Sequence, residues 1–330
     1  MELNNHYRLV TLFLLWMLGT AGCNPQFLDR SPEPAPAETR HFVMVTAKSG
    51  DTLAALAGTY LNDPEKAWQI AAYNRIESLT QGQQIVIPRV PLRYGGIEQN
   101  GFQTVPVLLY TALSNDPSNS KAVHARDFDR QMQYLNENGY ATVSLDQFHA
   151  FLTLKDQLPP DAVIVSFDTT RPWVYEIAFP ILRQRGMKAA LFIRLNDIGA
   201  KGRLTWAQLA EMSSGGFEIG VYSSPIKVPA REDLKQYFET FDKAMAEPKN
   251  AFKTHLKKPC RYFSYGRLPS NDLTIAMLKK HGYRAAFTRK RGANPFFVDN
   301  FKIKRSIIYS NYNMDQFRQN LVTFRSAELR

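Results

Sequence analysis

The chain has 330 residues, 44% of them hydrophobic and 22% charged, and this composition excludes an intrinsically disordered protein. The length allows one large domain and a small one. The formal net charge of +11 favours acidic partners, but the lysines and arginines form only short clusters without interleaved aromatic residues. The sequence therefore predicts no binding to nucleic acid.

The first predicted element is a short apolar run, Leu9–Leu18. A membrane span needs about 20 apolar residues, so this run is typical of a signal peptide. The small residues Thr20–Gly22 lead into Cys23 and resemble a lipobox, which implies that 1–22 is a lipoprotein signal peptide and that Cys23 is acylated. The alternative is an ordinary signal peptide, with Cys23 paired to Cys260 in an oxidising compartment.

A proline-rich segment follows the cysteine. Residues 23–40 include the run SPEPAPAETR, whose composition predicts an extended tether. We expect the membrane to be contacted through the lipid anchor alone. Asn24 is not the acidic residue associated with inner-membrane retention in some bacteria. The expected location is therefore the cell envelope, facing the periplasm, at the outer membrane.

Ordered structure is predicted from His41 onward. β-forming residues, helical apolar spacing and turn residues alternate within fewer than 50 residues. The predicted elements are a strand at His41–Ala47, a helix from Leu53 to Tyr60, a second helix from Pro64 to Asn74 and a strand at Gln84–Ile87. We expect a compact βααβ unit.

Three segments of this unit resemble the LysM family: SGDTL (Ser49–Leu53), IAAYN (Ile70–Asn74) and GQQIVIP (Gly82–Pro88). The resemblance covers residues 41–90 and implies binding to polymers of N-acetylglucosamine, such as peptidoglycan. The glycan-binding positions that it implies are Gly50, Asp51, Thr52, Leu53, Asn74 and Ile76. The alternative for Leu53, Asn74 and Ile76 is that they only cap helices and fill the small core.

From residue 104 onward, strand-like apolar runs alternate with helical patterns. The predicted strands are Val105–Leu109, Val163–Phe167, Ala189–Ile193, Phe217–Val221, Tyr262–Ser264, Ala285–Thr288 and Ile303–Ile307. The predicted helices are Phe128–Asn138, Tyr175–Arg185, Trp206–Ser214, Arg231–Ala246 and Asp272–Lys280. The alternation is typical of an α/β fold with a parallel sheet curved or closed into a barrel. The chemistry of such barrels lies at the carboxyl ends of the strands, where the sequence places Asp168, Tyr222 and Tyr265.

Residues 104–330 resemble a polysaccharide deacetylase domain of the NodB type. The resemblance rests on six segments in order: Val105–Tyr110, Phe128–Leu135, Val165–Asp168, Ala178–Ile193, Leu204–Gly220 and His281–Thr288. It implies a distorted (β/α)7 barrel and, as the usual reaction, metal-dependent removal of N-acetyl groups from chitin-like or peptidoglycan-like sugars.

The motif residues depart from that family. The family motif TFDDG carries a general base and then a metal ligand, and this chain has Asp168 at the base position and Thr169 at the ligand position. The two histidines of the motif H-[ST]-x-x-H are replaced by Tyr222 and Ile226. Zn²⁺ needs nitrogen, sulfur or anionic oxygen donors. We therefore expect no metal cofactor, and Asp168 is expected to be an isolated carboxylate without an electrophilic partner.

Three functions remain open. The first is a pseudoenzyme that binds N-acetylglucosamine-containing polysaccharide, with Asp168 at the base of a groove whose aromatic walls are Trp173, Tyr222 and Tyr265. The second is an active polysaccharide de-N-acetylase that uses Asp168 as base in an atypical site. The third is an envelope scaffold that contacts proteins and not glycan.

Overall fold

The computed structural model describes residues 37–38, 42–89, 93–98, 100–223, 234–266 and 268–327. The chain divides into two compact units, residues 1–90 and 91–330. Among the described residues, no helix has the length and hydrophobicity needed to span a bilayer. The predicted signal peptide, Cys23 and Ile226 lie outside the described residues.

The smaller unit is a three-stranded antiparallel sheet covered by helices. Its elements are β1 (Ala37–Glu38), β2 (Phe42–Thr46), α1 (Leu53–Leu61), a 3₁₀ turn (Pro64–Lys66), α2 (Ala67–Asn74) and β3 (Gln84–Pro88), and β2 is the central strand. The order from β2 to β3 is the predicted strand, helix, helix, strand. Side chains from each of these elements form one small core: Val43, Leu56, Ala57, Ile70, Ile85 and Ile87.

The larger unit is built on a curled parallel sheet. The strands of this unit, not all of which belong to the curled sheet, are β4 (Ile97–Glu98), β5 (Gly101–Gln103), β6 (Val107–Tyr110), β7 (Leu113–Ser114), β8 (Val123–His124), β9 (Ala141–Thr142), β10 (Ala162–Asp168), β11 (Ala189–Ile193), β12 (Phe217–Tyr222), β13 (Tyr262–Ser264), β14 (Ala285–Phe287), β15 (Ser306–Ile307) and β16 (Phe324–Ser326). The order in the sheet is β14, β13, β12, β11, β10, β6, β15, and all these pairs are parallel.

The two edges of this sheet approach each other through the segment before β15. Ile303 forms a parallel bridge with Phe287 at the end of β14, while Ile307 pairs with Leu109 of β6. The backbone N–H of Thr288 also donates to the carbonyl of Ile303 at 2.7 Å. Because one segment bonds to both edges, the sheet curls into the predicted barrel-like α/β fold.

Helices cover the outside of the curled sheet. They are α3 (Ala125–Glu137), α4 (Leu145–Leu152), α5 (Phe179–Gln184), α6 (Trp206–Ser214), α7 (Leu234–His255), α8 (Asp272–Lys280) and α9 (Met314–Arg318). The predicted bounds of α6 and α8 are confirmed. Both helices begin at a residue that caps them through its side chain, Thr205 and Asn271.

The predicted start at Phe128 is wrong, since α3 begins at Ala125. Two other helices with wrong predicted bounds contain a proline. A π-helical turn at Val174–Ala178 precedes α5, because Pro180 has no N–H to donate to the carbonyl four residues earlier. The end predicted at Ala246 is also wrong, since α7 continues through Pro248 to His255. Phe252 is buried in the core near the end of this helix, and its burial outweighs the cost of the proline.

A partly buried carboxylate on β12 binds the start of α4. Glu218 Oε2 accepts hydrogen bonds from the backbone N–H groups of Leu145 (2.6 Å) and Asp146 (3.3 Å). Burial and the nearby Asp146 carboxylate raise the pKa of Glu218 to about 7. The strand and the helix are therefore joined through a group that titrates near neutral pH.

We predict that Glu218 makes stability depend on pH. Its folded pKa of about 7 exceeds the ordinary value of 4.5, so its contribution is fully present below pH 4.5 and is lost as the pH rises through about 7. The size is on the order of 3 kcal/mol. Urea unfolding of wild type and Glu218→Gln at about pH 5 and about pH 8 measures it.

The Gln variant should lose this part of the pH dependence, because an amide does not titrate. Glu137→Gln, a change at an exposed site on α3, is the control and should behave as wild type. An unchanged pH dependence in Glu218→Gln would contradict the prediction.

Candidate functional site

Asp168 is the last residue of β10 and lies at the carboxyl edge of the curled sheet. The other residues of β10 are all buried, so the Asp168 carboxylate lies where the strand leaves the core. Ser264 ends β13, and Tyr222 ends β12 at the same edge. Two of the residues predicted at the strand ends, Asp168 and Tyr222, are therefore present at this edge, together with Ser264.

Asp168 is bound in a two-fold ion pair with Arg305. Arg305 Nη1 donates to Asp168 Oδ1 at 2.7 Å, and Nη2 donates to Oδ2 at 2.8 Å. The hydroxyl of Ser264 also donates to Oδ2 at 2.9 Å. Both side chains are buried, with exposed fractions of 0% for Arg305 and 6% for Asp168. The expectation of an isolated carboxylate is wrong, because both of its oxygens already accept hydrogen bonds.

The guanidinium of Arg305 makes further contacts besides those with Asp168. Its Nε donates to the carbonyl of Thr288 at 2.8 Å, and Nη2 also contacts Ser264 Oγ at 2.8 Å. The Phe192 ring lies under it, 5.5 Å from its centroid. Sequence reasoning missed this residue. The available signal was an arginine inside the predicted strand Ile303–Ile307, since a charge in a buried strand needs a partner.

Thr169, at the first ligand position implied by the resemblance, is buried and engaged locally. Its hydroxyl accepts from the backbone N–H of Arg171 at 3.0 Å, and its own N–H donates to the carbonyl of Phe192 at 3.1 Å. The next hydroxyl, of Thr170, donates to Asp197 at 2.8 Å. Thr169 thus offers a neutral oxygen that already completes a turn.

Tyr222, at the second implied ligand position, lies beside a cation. Arg194 Nη2 donates to its hydroxyl at 3.3 Å, and the Arg194 guanidinium lies over its ring, 5.0 Å from the centroid. Gly266, with a φ of +56°, leaves the space for this ring, because a Cβ there would lie 2.1 Å from a Tyr222 carbon. The site therefore places a guanidinium against the phenol.

These donors do not fit a divalent metal ion. Thr169 gives a neutral hydroxyl, Tyr222 gives a phenol next to a positive charge, and Asp168 is committed to Arg305. Within the part of the chain that the structure describes, no three His, Cys, Asp or Glu side chains lie close enough together to hold a metal.

The three aromatic residues predicted to line the groove differ in exposure. Tyr222 and Trp173 are partly exposed, and the Trp173 ring meets Phe167 edge to face at 5.9 Å. Tyr265 is only 2% exposed, and its hydroxyl donates to the carbonyl of Phe301 at 2.8 Å. An open stacking face at Tyr265 is therefore not present, although its edge borders a cavity of about 530 Å³.

In the smaller unit, the side chains of the predicted glycan-binding positions make internal contacts. Asn74 clasps α2 to β3: its amide donates to the carbonyls of Ile70 (2.8 Å) and Val86 (2.7 Å), and its Oδ1 accepts from the Val86 N–H at 2.9 Å. Leu53 and Ile76 pack against the small core. These contacts agree with the alternative in which the three residues support the unit.

The remaining positions form the loop before α1. Gly50 has a φ of +87°, which favours glycine at this turn. Asp51 Oδ2 accepts from the Lys48 N–H at 2.7 Å, and the Thr52 hydroxyl caps α1 by accepting from the Ala55 N–H at 3.0 Å. The loop is thus fixed by its own hydrogen bonds.

Comparison with known proteins identifies the type of the larger domain. Residues 155–286 match the family model for polysaccharide deacetylase. YxkH of Bacillus subtilis, whose name places it among polysaccharide deacetylases, is 28% identical over 190 residues, which cover 57% of this chain and 66% of YxkH. The poly-beta-1,6-N-acetyl-D-glucosamine N-deacetylase of Staphylococcus epidermidis is 23% identical over 199 residues, or 57% of this chain and 68% of that enzyme.

A solved structure has the same fold. The deacetylase PplD of Streptococcus pyogenes, in complex with acetate, aligns with a TM-score of 0.59 and 21% identity over 66% of this chain and 98% of PplD. This likeness confirms the predicted barrel of the deacetylase type. The chain therefore contains a polysaccharide deacetylase domain that includes residues 155–286.

We predict that Asp168 and Arg305 depend on each other for stability. Asp168→Asn and Arg305→Met should each lower the free energy of unfolding by about 3–5 kcal/mol, because each change leaves a buried charge without its partner. The double variant should lose much less than the sum of the two. Urea unfolding of the four proteins measures this coupling.

The control is Arg318→Met. Arg318 pairs with Asp315 at the surface, where both side chains are about half or more exposed, and its loss should cost about 1 kcal/mol or less. Additive effects of the Asp168 and Arg305 changes would contradict the prediction.

Proposed function

We propose that the polysaccharide deacetylase domain of this chain binds a polymer containing N-acetylglucosamine and does not hydrolyse it. The observation that carries the proposal is the ion pair of Asp168 with Arg305, which engages both oxygens of the carboxylate at the family's base position. The remaining donors at the site are hydroxyl groups and a guanidinium.

Amide hydrolysis needs an activated water and a group that stabilises the negative oxygen of the tetrahedral intermediate. In the family that this chain resembles, a divalent metal supplies both. Thr169 and Tyr222 do not form such a site, and water would have to displace Arg305 and Ser264 from Asp168 to transfer a proton to it. The site is therefore better suited to holding a ligand than to cleaving it.

The choice of ligand rests on the relatives and on the chemistry of this edge. Staphylococcal relatives are named for N-deacetylation of poly-beta-1,6-N-acetyl-D-glucosamine. Tyr222 and Trp173 offer partly exposed aromatic surface, on which the apolar face of a sugar can stack. Arg194, partly exposed beside Tyr222, can donate to sugar hydroxyl or acetyl oxygens.

In this proposal, residues 41–90 are a LysM module that binds the same kind of polymer. The three signature segments and the order of elements from β2 to β3 support it. Since Asn74, Leu53 and Ile76 are engaged internally, the glycan would contact the loop at Gly50–Thr52. It would also contact Arg75, an exposed residue directly after α2. Two weak sites on one chain gain avidity on a repeating polymer.

The test is co-sedimentation of the full chain with peptidoglycan and with insoluble poly-N-acetylglucosamine, beside an assay for free amines with and without added Zn²⁺ or Co²⁺. We expect binding without amine release. Tyr222→Ala and Arg75→Ala should each weaken binding by about tenfold, and the double variant should weaken it further.

Phe297→Ala is the matched control, because Phe297 is exposed and contacts Phe102 in a different part of the domain. Release of amines that is lost in Asp168→Asn would overturn the proposal in favour of an active de-N-acetylase. Absence of binding to either polymer would favour a scaffold that contacts proteins.

The proposal places the chain in the cell envelope, anchored through lipid on Cys23 and facing the periplasm at the outer membrane. Its support is the resemblance of Thr20–Cys23 to a lipobox. We predict that Cys23→Ser moves the full-length protein from the membrane fraction to the soluble fraction, because the acylated thiol is lost. Cell fractionation and mass spectrometry of the amino terminus measure this.

Cys260→Ser is the control, since the Cys260 thiol is buried in the barrel core. It should leave the fractionation unchanged. A disulfide-dependent gel shift that both variants abolish would instead show that Cys23 pairs with Cys260.

A further inference from the structure

A second cavity lies at the amino edge of the curled sheet, opposite Asp168. It is bordered by Phe217 at the start of β12, by Lys188 just before β11 and by Tyr262 at the start of β13. Tyr222 ends β12 five residues after Phe217, which corresponds to about 16 Å along the strand. The volume of about 470 Å³ is that of a typical small-ligand site. The residues proposed above to bind glycan do not line this cavity.

Two lysine ammonium groups in this cavity lack an acidic partner. Lys188 Nζ donates to the Gln147 side-chain oxygen at 2.8 Å, and Lys258 Nζ donates to the Ser213 hydroxyl at 2.7 Å. Among the described residues, neither ammonium has a carboxylate within 4 Å. Both positive charges therefore remain available to an anionic ligand.

The other charges of the cavity do not cancel them. Arg261 is paired with Asp146 at 2.6 Å, and Asp146 also accepts from Arg284 at 3.1 Å. Glu218 is the other carboxylate of the wall, and burial raises its pKa to about 7. In slightly acidic solution the wall therefore carries an excess of positive charge.

The remaining wall is largely apolar. Phe217, Phe252 and Leu256 line it, together with Pro259 and Ile219. Ser144, whose hydroxyl caps α4, also borders the cavity. A ligand that fits this surface has one anionic group, several hydrogen-bonding groups and an apolar face.

We infer that this cavity binds a carboxylate-bearing amino sugar, separately from the groove at the carboxyl edge. The preference for an anion rests on the lysines alone. The choice of a sugar as its carrier rests on the proposed function. N-acetylmuramic acid has this chemistry, and it differs from N-acetylglucosamine only by an ether-linked lactyl carboxylate. An occupied cavity of this kind would favour a glycan that carries free lactyl carboxylates over a neutral polymer of N-acetylglucosamine.

Glu218 gives the site a pH dependence. The groups that interact with it are Asp146 and the Leu145 N–H on α4, Arg261 and Tyr262. Lys188 and Lys258 line the same cavity. As the pH rises through about 7, Glu218 becomes charged and repels a carboxylate. Binding should therefore weaken in that range, and Glu218→Gln should remove the weakening.

The experiment is calorimetric titration of the full chain with N-acetylmuramic acid and with N-acetylglucosamine, at about pH 6 and about pH 8. At the lower pH we expect the acidic sugar to bind at least about tenfold more tightly than the neutral one. Lys188→Met and Lys258→Met should each reduce this affinity by about tenfold, because methionine keeps the apolar stem and removes the charge. Lys258 is exposed, so its variant is expected to fold.

Lys253→Met is the control, since Lys253 is an exposed residue of α7 that does not border the cavity. Equal affinity for the two sugars, or wild-type affinity in both lysine variants, would overturn the inference. Lactate or inorganic phosphate binding as tightly as N-acetylmuramic acid would overturn the assignment to a sugar. Tyr222→Ala should not alter the binding of N-acetylmuramic acid, because Tyr222 does not line this cavity. A failure of the polymer-binding proposal is therefore distinguished from a failure of this inference.

Discussion

The burial of a guanidinium is the constraint on which the carboxyl edge of this barrel depends. Arg305 is fully buried and its guanidinium offers donors only, so its N–H groups need acceptors inside the protein. Asp168 on β10, Ser264 on β13 and the Thr288 carbonyl after β14 accept four hydrogen bonds from it. Strands that are distant in the sequence are thereby held in one arrangement, and the carboxylate that a hydrolase would use as a base becomes part of the framework.

The same barrel carries a different electrostatic pattern at each edge. At the carboxyl edge, the Asp168 charge is matched by Arg305, and Arg194 lies against the Tyr222 ring. At the amino edge, two lysines face a cavity in which one carboxylate titrates near neutral pH. A charge that is matched inside the protein supports the fold, whereas an unmatched one is available to a ligand.

Much of the fold followed from local signals. The predicted bounds of β11, β13, α6 and α8 agree with the structure, because apolar runs of suitable length lie between turn residues or helix caps. Prediction failed where packing outweighed local preference. The helix predicted to end at Ala246 continues to His255, because Phe252 is buried near its end. The prediction that Tyr265 lines the groove failed for a similar reason, since an aromatic side chain at a strand end can pack into the core as easily as it can face solvent.

The sequence by itself determined the class of the fold and placed Asp168 at the end of a buried strand, in a motif that lacks the ligands implied by the resemblance. A motif consists of residues that are close together in the chain, so a missing histidine is recognised from the sequence without a structure. Only the tertiary structure decided what that aspartate does. Its partner Arg305 lies 137 residues away in the chain, and the lysines of the amino-edge cavity come from separate elements. Such contacts depend on how the strands are ordered around the barrel, and that order is set by the packing of the whole domain.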